Sequence, residues 1–396
     1  MSQLRIGLIG AGGRGTSLAY QVKVSNIGTV VGAYDANPEF AKQFQQPFAD
    51  FSIPFVSRAD LLSDSTLDGI IIASPDHCHR QDACDALKSG KPVLCEKPMA
   101  IDLADCDAML QAQRDTGQSL QIGFNLRFHP LYQKMHEIAA SGKLGKITTV
   151  WIRHFVGMGG NFYFQDWHSL RSRSESLLLQ KATHDFDVLH YVAGSYTKRL
   201  VALGNRAYYG GDRENSLICP QCTDKDDCPE SNLEPNNPRS QCAFRQEIDI
   251  EDNEIVMLEL QSGAIATYSQ CQFTPDYHRN YVFIGTKGRM ESFETQHRVK
   301  GWQADDRIEV LYRDGGQRET VRFDLEHGNH GGSDIRMIKS WLKSVLNKTF
   351  DTENPVGGRQ SVAVGCLAAE SLRTGNVWRT IPPISYKDSA INPAAG

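Results

Sequence analysis

At 396 residues the chain has room for two domains of ordinary size rather than one. Hydrophobic residues make up 40% of it, enough for packed cores, and a formal net charge of -5 excludes a global basic field of the kind that attracts nucleic acid. The start, MSQLRIGLIGAGGRG, lacks the charged segment, long apolar core and cleavage site of a secretory signal. No run approaches the roughly 20 apolar residues of a membrane helix. A cytoplasmic chain without membrane or nucleic-acid partners is expected.

The first 125 residues alternate strand-like and helix-like segments. Strands are expected at 4–9, 29–34, 53–56, 68–73, 92–95 and 119–123, and helices at 14–24, 38–46, 79–89 and 104–114. Runs such as DGIIIA, apolar without polar alternation, fit strands covered on both faces, so a parallel, doubly wound α/β sheet is expected. After Phe124 the pattern changes. A helix at 131–141 is followed by strand-like segments at 147–155, 255–260, 264–272, 281–285 and 308–312, with helical stretches at 184–192, 335–346 and 359–373. This predicts an α+β domain on a large open, mainly antiparallel sheet. The division expected is 1–124 for the first domain and 125–382 for the second, with a Cys-rich insertion near 210–245 and a polar tail at 383–396.

Gly10-Ala11-Gly12-Gly13-Arg14-Gly15 contains G-x-G-x-x-G between a strand and a helix. Gly10 permits a tight turn, Gly12 lets backbone approach a pyrophosphate, and Gly15 lets the helix pack closely on the strand. Phosphates then meet free N–H groups at the helix start, to which Gly13 and Arg14 belong. Asp35 ends the second strand, at the spacing of a carboxylate that accepts both ribose hydroxyls and repels a 2′-phosphate. NAD rather than NADP is the cofactor expected.

Four cysteines crowd into the insertion as Cys219-x2-Cys222-x5-Cys228 with a more distant Cys242. Four thiolates can hold one structural zinc, or an iron–sulfur cluster, and zinc is the better fit to the chemistry. Free thiols or a reversible disulfide remain the alternative, because the second half is not C-x-x-C.

Further blocks resemble the glucose–fructose oxidoreductase / inositol dehydrogenase / MocA family. They are ASPDHCH at 73–79, GKPVLCEKP at 90–98, GFNLRFHP at 123–130, His184-x-x-Asp187, and GNHGGSD at 328–334. The resemblance covers most of the chain and implies a Rossmann domain followed by a sheet domain that often forms the contact between copies, hence a homodimer or homotetramer. It implies NAD(P)-linked chemistry on sugars, cyclitols and their derivatives. Lys97 resembles the family's catalytic lysine and His184 its catalytic histidine. Ser74, Pro75, His79, Glu96, Lys97 and Asn125 become cofactor candidates. Where the family commonly has an aspartate, four residues before the histidine, this chain has Gln180, with Lys181 beside it.

Taking hydride from a CH–OH carbon requires removal of the hydroxyl proton, which suits a base near neutral pKa such as His184. Lys97 can stabilise the developing negative charge on the same oxygen. A histidine next to acidic residues such as Asp185 and Asp187 is more often a structural hydrogen-bonder than a base, and a lysine after a strand is usually solvated. Substrate candidates are Lys97, Arg127, Trp167, Arg171, Gln180, Lys181, His184 and Asp187, with Arg153, His154 and Tyr163 weaker, since aromatic faces beside polar groups suit sugar rings. The leading expectation is net oxidation of a sugar-like secondary alcohol. The alternatives are a redox-neutral enzyme that retains NAD, cleaving or epimerising through transient oxidation as some relatives of the family do, and a non-catalytic NAD or sugar sensor.

Overall fold

The computed structural model describes residues 3–44, 52–157, 159–234, 239–296, 305–313, 315–323 and 329–385. The end of the helix expected at 38–46, residues 235–238 of the insertion, Gly328 and most of the expected tail lie outside these. The chain forms two compact units. The first comprises Met1–Asn125, Gly332–Val362 and Pro382–Gly396, and the second Leu126–Gly331 and Ala363–Ile381.

The first unit opens with β1 (Leu4–Ile9), α1 (Gly13–Ser25), β2 (Gly28–Tyr34), α2 (Pro38–Phe44), α3 (Arg58–Ser63), β3 (Gly69–Ile72), α4 (His79–Lys88), β4 (Val93–Cys95), α5 (Leu103–Thr116) and β5 (Leu120–Ile122). The strands pair in parallel in the order β2-β1-β3-β4-β5. Ile70, Ile71 and Ile72 are all fully buried, as a strand covered on both faces requires. Local signals set the helix ends. The Ser57 and Asp102 side chains accept the Asp60 and Asp105 N–H groups at the starts of α3 and α5, and Gly117 adopts the left-handed conformation after α5. Residues 53–56 differ from expectation, making only a bridge from Phe55 to Ala33. Pro54 has no N–H with which to extend the ladder.

The second unit contains α6 (Pro130–Ala140), β6 (Ile147–Phe155), the short α7 (Arg171–Ser174) and α8 (Leu177–Gln180), α9 (Thr183–Ala193), and strands β7 (Thr197–Asn205), β8 (Asn253–Leu260), β9 (Ile265–Cys271), β10 (Tyr277–Gly285), β11 (Gly288–Gln296), β12 (Arg307–Tyr312) and β13 (Arg318–Arg322). With β14 (Arg379–Thr380) they form a nine-stranded sheet, β13-β12-β11-β10-β6-β9-β8-β7-β14, antiparallel except where β6 meets β9. One face carries the core: Tyr132 and Met135 of α6, Phe186 and Leu189 of α9, and Val364 and Ala368 pack over Val150, Val256, Tyr268 and Phe283. On the opposite face Trp151, Leu203, Ile255, Met257 and Ile265 are exposed.

Two further helices, α10 (Ser333–Asn347) and α11 (Glu353–Arg373), follow the strands. The second unit is therefore not continuous from 125 to 382, because Gly332–Val362 returns to the first. The cause is the apolar stripe of α10. Trp341 is fully buried, with its ring edge 3.1 Å from where a Cβ on Gly69 would stand, and Leu342 is equally close to Gly28.

Candidate active site

The glycine turn is built by its neighbours. Gly10 has φ +92°, and a Cβ there would lie 2.3 Å from the Ser74 nitrogen. A Cβ on Gly15 would lie 1.9 Å from the Gly10 carbonyl oxygen, so α1 packs on the turn only because that atom is absent. Gly12 and Gly13 differ, since a Cβ on either meets nothing within 4 Å. Gly12 caps α1 with no side chain accepting its N–H groups and no acid in the first turn. This open, uncapped helix start fits a pyrophosphate. Asp35 stands just past β2. One of its oxygens accepts the Ala11 N–H at 2.7 Å and the other the Asn37 N–H at 2.8 Å, which fixes the carboxylate against the turn.

Other cofactor candidates are joined by a group that sequence reasoning did not single out. The guanidinium of Arg14 donates through Nε to Glu96 at 2.7 Å and through both terminal nitrogens to Asp334 at 2.8 and 2.9 Å. Burial opposes the Arg14 charge, but the pull of Glu96 and Asp334 raises its pKa above the ordinary range. Asn125 donates to the same Asp334 at 2.9 Å. The signal for Asp334 was the block at 328–334, to which no role had been given.

Lys97 lies two residues beyond β4, half-buried, at the carboxyl edge of the parallel sheet. Its loop is tied down on both sides. Glu96 accepts the Lys97 N–H at 3.2 Å, and the buried His79 faces the Pro98 carbonyl with Nδ1 at 2.7 Å and the Ser74 carbonyl with Nε2 at 2.9 Å. The Lys97–Pro98 peptide is cis. Ser74 donates to Asp82 at 2.7 Å, and the Pro75 carbonyl accepts the Cys78 N–H at the start of the following turn. His79 and Ser74 thus hold the backbone around Lys97.

In the second unit, Gln180, Lys181, His184 and Asp187 fall within eight residues at the end of α8 and the start of α9. His184 is buried. Asp187 and Arg127 form a two-pronged ion pair, at 2.7 and 2.9 Å. Burial raises the Asp187 pKa while Arg127 counters it. Lys181 lies 5.7 and 5.9 Å from the ring centres of Tyr163 and Tyr277. Burial, reinforced by the charge of Arg279, lowers its pKa to about 7.

Asp185, which was no candidate, is the most heavily bonded group here. It accepts from Tyr281, from Tyr268 at 3.0 Å and from His154 at 2.8 Å, and it pairs with Arg279 at 3.2 Å. Burial opposes its charge, yet Arg279, His154 and Tyr281 hold the carboxyl well below the usual range. His154 is pushed down to about 4, first by burial and then by Arg279. The weak substrate candidate His154 is therefore a member of this network. Arg153 points to the opposite face of β6 and binds Asn280 at 2.7 Å.

Trp167 and Arg171 have other engagements. Trp167 stacks on His168 at 3.7 Å, and Arg171 pairs with Glu251 at 3.0 Å, a carboxylate shared with Arg373. Cys219, Cys222, Cys228 and Cys242 line one small cavity, without disulfides. Among the described residues, no group of three or more His, Cys, Asp or Glu is disposed to hold a metal ion as it stands.

Residues 4–124 match the family model described as "Oxidoreductase family, NAD-binding Rossmann fold", and residues 132–291 match that of the GFO/IDH/MocA C-terminal domain. The Bacillus subtilis protein YteT is 26% identical over 91% of both chains. The Thermotoga maritima myo-inositol 2-dehydrogenase is 22% identical over 93% of this chain and 96% of its own. A levoglucosan dehydrogenase solved with NADH and levoglucosan shares the fold with a TM-score of 0.74, at 19% identity over 96% of this chain and 100% of the other. With a glycine turn shaped for a pyrophosphate and both family domains matched in order, the chain belongs to the glucose–fructose oxidoreductase / inositol dehydrogenase / MocA family of NAD-binding oxidoreductases.

Proposed function

We propose that the protein transfers hydride between NAD and a secondary alcohol of a sugar, cyclitol or sugar derivative. The observation that carries this reading is the position of Lys97, on a tethered loop at the carboxyl edge of the same sheet whose first strand ends in the glycine turn. Ligands of open α/β sheets bind beyond that edge. Bound NAD supplies the hydride acceptor. The Lys97 ammonium donates to the substrate oxygen and stabilises the charge that grows there. His184 accepts the hydroxyl proton. Gln180 cannot exchange a proton as a carboxylate does, whereas Lys181, with a pKa of about 7, can give or take one near neutrality. Asp35 favours NAD over NADP, because a 2′-phosphate would meet its carboxylate. The names of two relatives, a myo-inositol and a levoglucosan dehydrogenase, support the substrate class.

The test is a panel of sugars, cyclitols and glycosides with NAD, read for NADH and for released aglycone. Stoichiometric NADH with at least one member supports net oxidation. Aglycone release without NADH favours the redox-neutral route, and binding of NAD without any turnover favours a sensor.

The exposed apolar residues of the sheet's outer face alternate with the buried ones along β6, β8 and β9, and Leu203 of β7 is exposed beside them. Such a patch is an interaction surface, and we assign it to a second copy of the chain, giving a dimer or tetramer. Light scattering of the purified protein checks this, and a monomer at micromolar concentration removes the assignment. Among the described residues no helix is long and apolar enough to cross a membrane.

A further inference from the structure

The four cysteines of the insertion come from separate stretches of chain. Cys219 and Cys222 sit at the two ends of a single helical turn, Cys228 follows after five residues, and Cys242 after thirteen more. All four line one cavity of about 20 Å³, together with Lys225, Glu230 and Ser231. That is room for one water-sized body.

The segment around them has polar bonds but little apolar burial to hold it. Between Gly210 and Cys242 the only described apolar residue that is buried is Cys219 itself. Its β-bridges are the isolated pairs Arg213 to Arg245 and Ile218 to Gln241, supplemented by turn and loop hydrogen bonds such as Cys219 N–H to the Ser240 carbonyl. Ordering a residue costs about 1–2 kcal/mol in backbone entropy, so a stretch this long without a core needs a cross-link.

Polar groups converge on two of the sulfurs. The Phe244 N–H donates to the Cys242 sulfur at 3.4 Å, the Gln165 side-chain amide donates to the Cys219 sulfur at 3.7 Å, and the Asn232 N–H is a third donor, also to Cys219. These donors fix where two of the four sulfurs sit. Lys225 and Glu230 line the cavity beside the four sulfurs.

We propose that Cys219, Cys222, Cys228 and Cys242 bind one structural zinc ion as a four-thiolate site that fastens the insertion to the second unit. Rotation about χ1 swings each sulfur between staggered wells, and a tetrahedral ion with Zn–S bonds of about 2.3 Å draws them inward. A closed set of four protein ligands leaves no open position for substrate, so the ion holds structure and takes no part in hydride transfer.

The full chain, expressed without a polyhistidine tag and purified without chelators, is analysed for metals by mass spectrometry. About one zinc per chain is expected, released as a mercurial reagent titrates the thiols. Growth in cobalt should give the sulfur-to-cobalt charge-transfer absorption of a tetrahedral thiolate site. Cys228→Ser should lower the zinc content several-fold. Should that variant fail to fold, the metal content and cobalt spectrum of the unaltered chain still decide. Wild-type protein without metal, with four freely reactive thiols, with disulfides among these cysteines, or with iron in place of zinc overturns the proposal. None of these readouts depends on dinucleotide binding or turnover.

Discussion

Gly12→Ala separates a glycine kept for its ligand from glycines kept for the fold. Gly12 has φ -67° and ψ -172°, extended backbone open to any residue, and an alanine Cβ there meets nothing within 4 Å. The substitution should leave stability unchanged or raise it by about 0.4–1 kcal/mol through the unfolded chain, a Tm shift of no more than about 4 °C. NAD binding should suffer. A methyl group where the pyrophosphate must approach the α1 N–H groups costs at least one hydrogen bond to a charged group, about 1.5–3 kcal/mol, or roughly a 10- to 100-fold rise in Kd. Gly15→Ala should do the reverse in the free protein, because its Cβ falls 1.9 Å from the Gly10 carbonyl oxygen, and overpacking of this kind costs about 1–3 kcal/mol or more. Thermal unfolding without ligand and calorimetric titration with NAD measure both quantities. Gly12→Ala protein that binds NAD as tightly as the wild type refutes the placement of the pyrophosphate on this turn.

Lys97→Ala and His184→Ala should each abolish turnover and leave the Kd for NAD within a few-fold of wild type; a near-wild-type rate in either variant removes that residue from the chemistry. Arg127→Ala leaves Asp187 buried without its ion-pair partner and should lower stability by about 3 kcal/mol at pH 7. Asp187→Asn in the same chain should recover part of that loss, and simple additivity in chemical denaturation would contradict the pairing. Lys181 is held at about 7 against an ordinary 10.5, so between those values the unfolded chain binds more protons than the folded one. Raising the pH from 7 to 10 should therefore stabilise the wild type relative to Lys181→Met, and parallel pH profiles of the two Tm values would show that Lys181 is an ordinary exposed lysine. The buried His154, at about 4, acts at the other end: the folded protein should lose stability as pH falls from 6.5 toward 4, less so in His154→Gln.

The parallel sheet was legible because both faces of its strands are buried, and runs such as Gly69–Ile72 carry no competing polar signal. Strands β7, β11 and β13 were not legible. β7 carries Lys198 and Arg199 near its start, β11 carries Arg289, Glu291 and Glu294, and β13 reads Arg-Glu-Thr-Val-Arg, so their charges break the apolar pattern. At the site, the glycine turn and Asp35 could be read because their jobs are local. The partners of Arg14 and Arg127 could not, since Asp334 and Asp187 lie 320 and 60 residues away in sequence. Asp185 was hidden for another reason. Between His184 and Asp187 it looks like one more acidic neighbour, and only the folded sheet brings Tyr268, Arg279, Tyr281 and His154 onto it.

Because α10 comes back to seat Trp341 beside Gly69 and to bring Asp334 to Arg14 and Asn125, the nucleotide-binding half cannot be cut out as the first 125 residues. A fragment ending there would bare an apolar furrow and take Asp334 from Arg14 and Asn125. A chimera that transplants this half must carry two separate pieces of chain, and exchange between relatives by a single crossover after the fifth strand would mismatch the α10 seat.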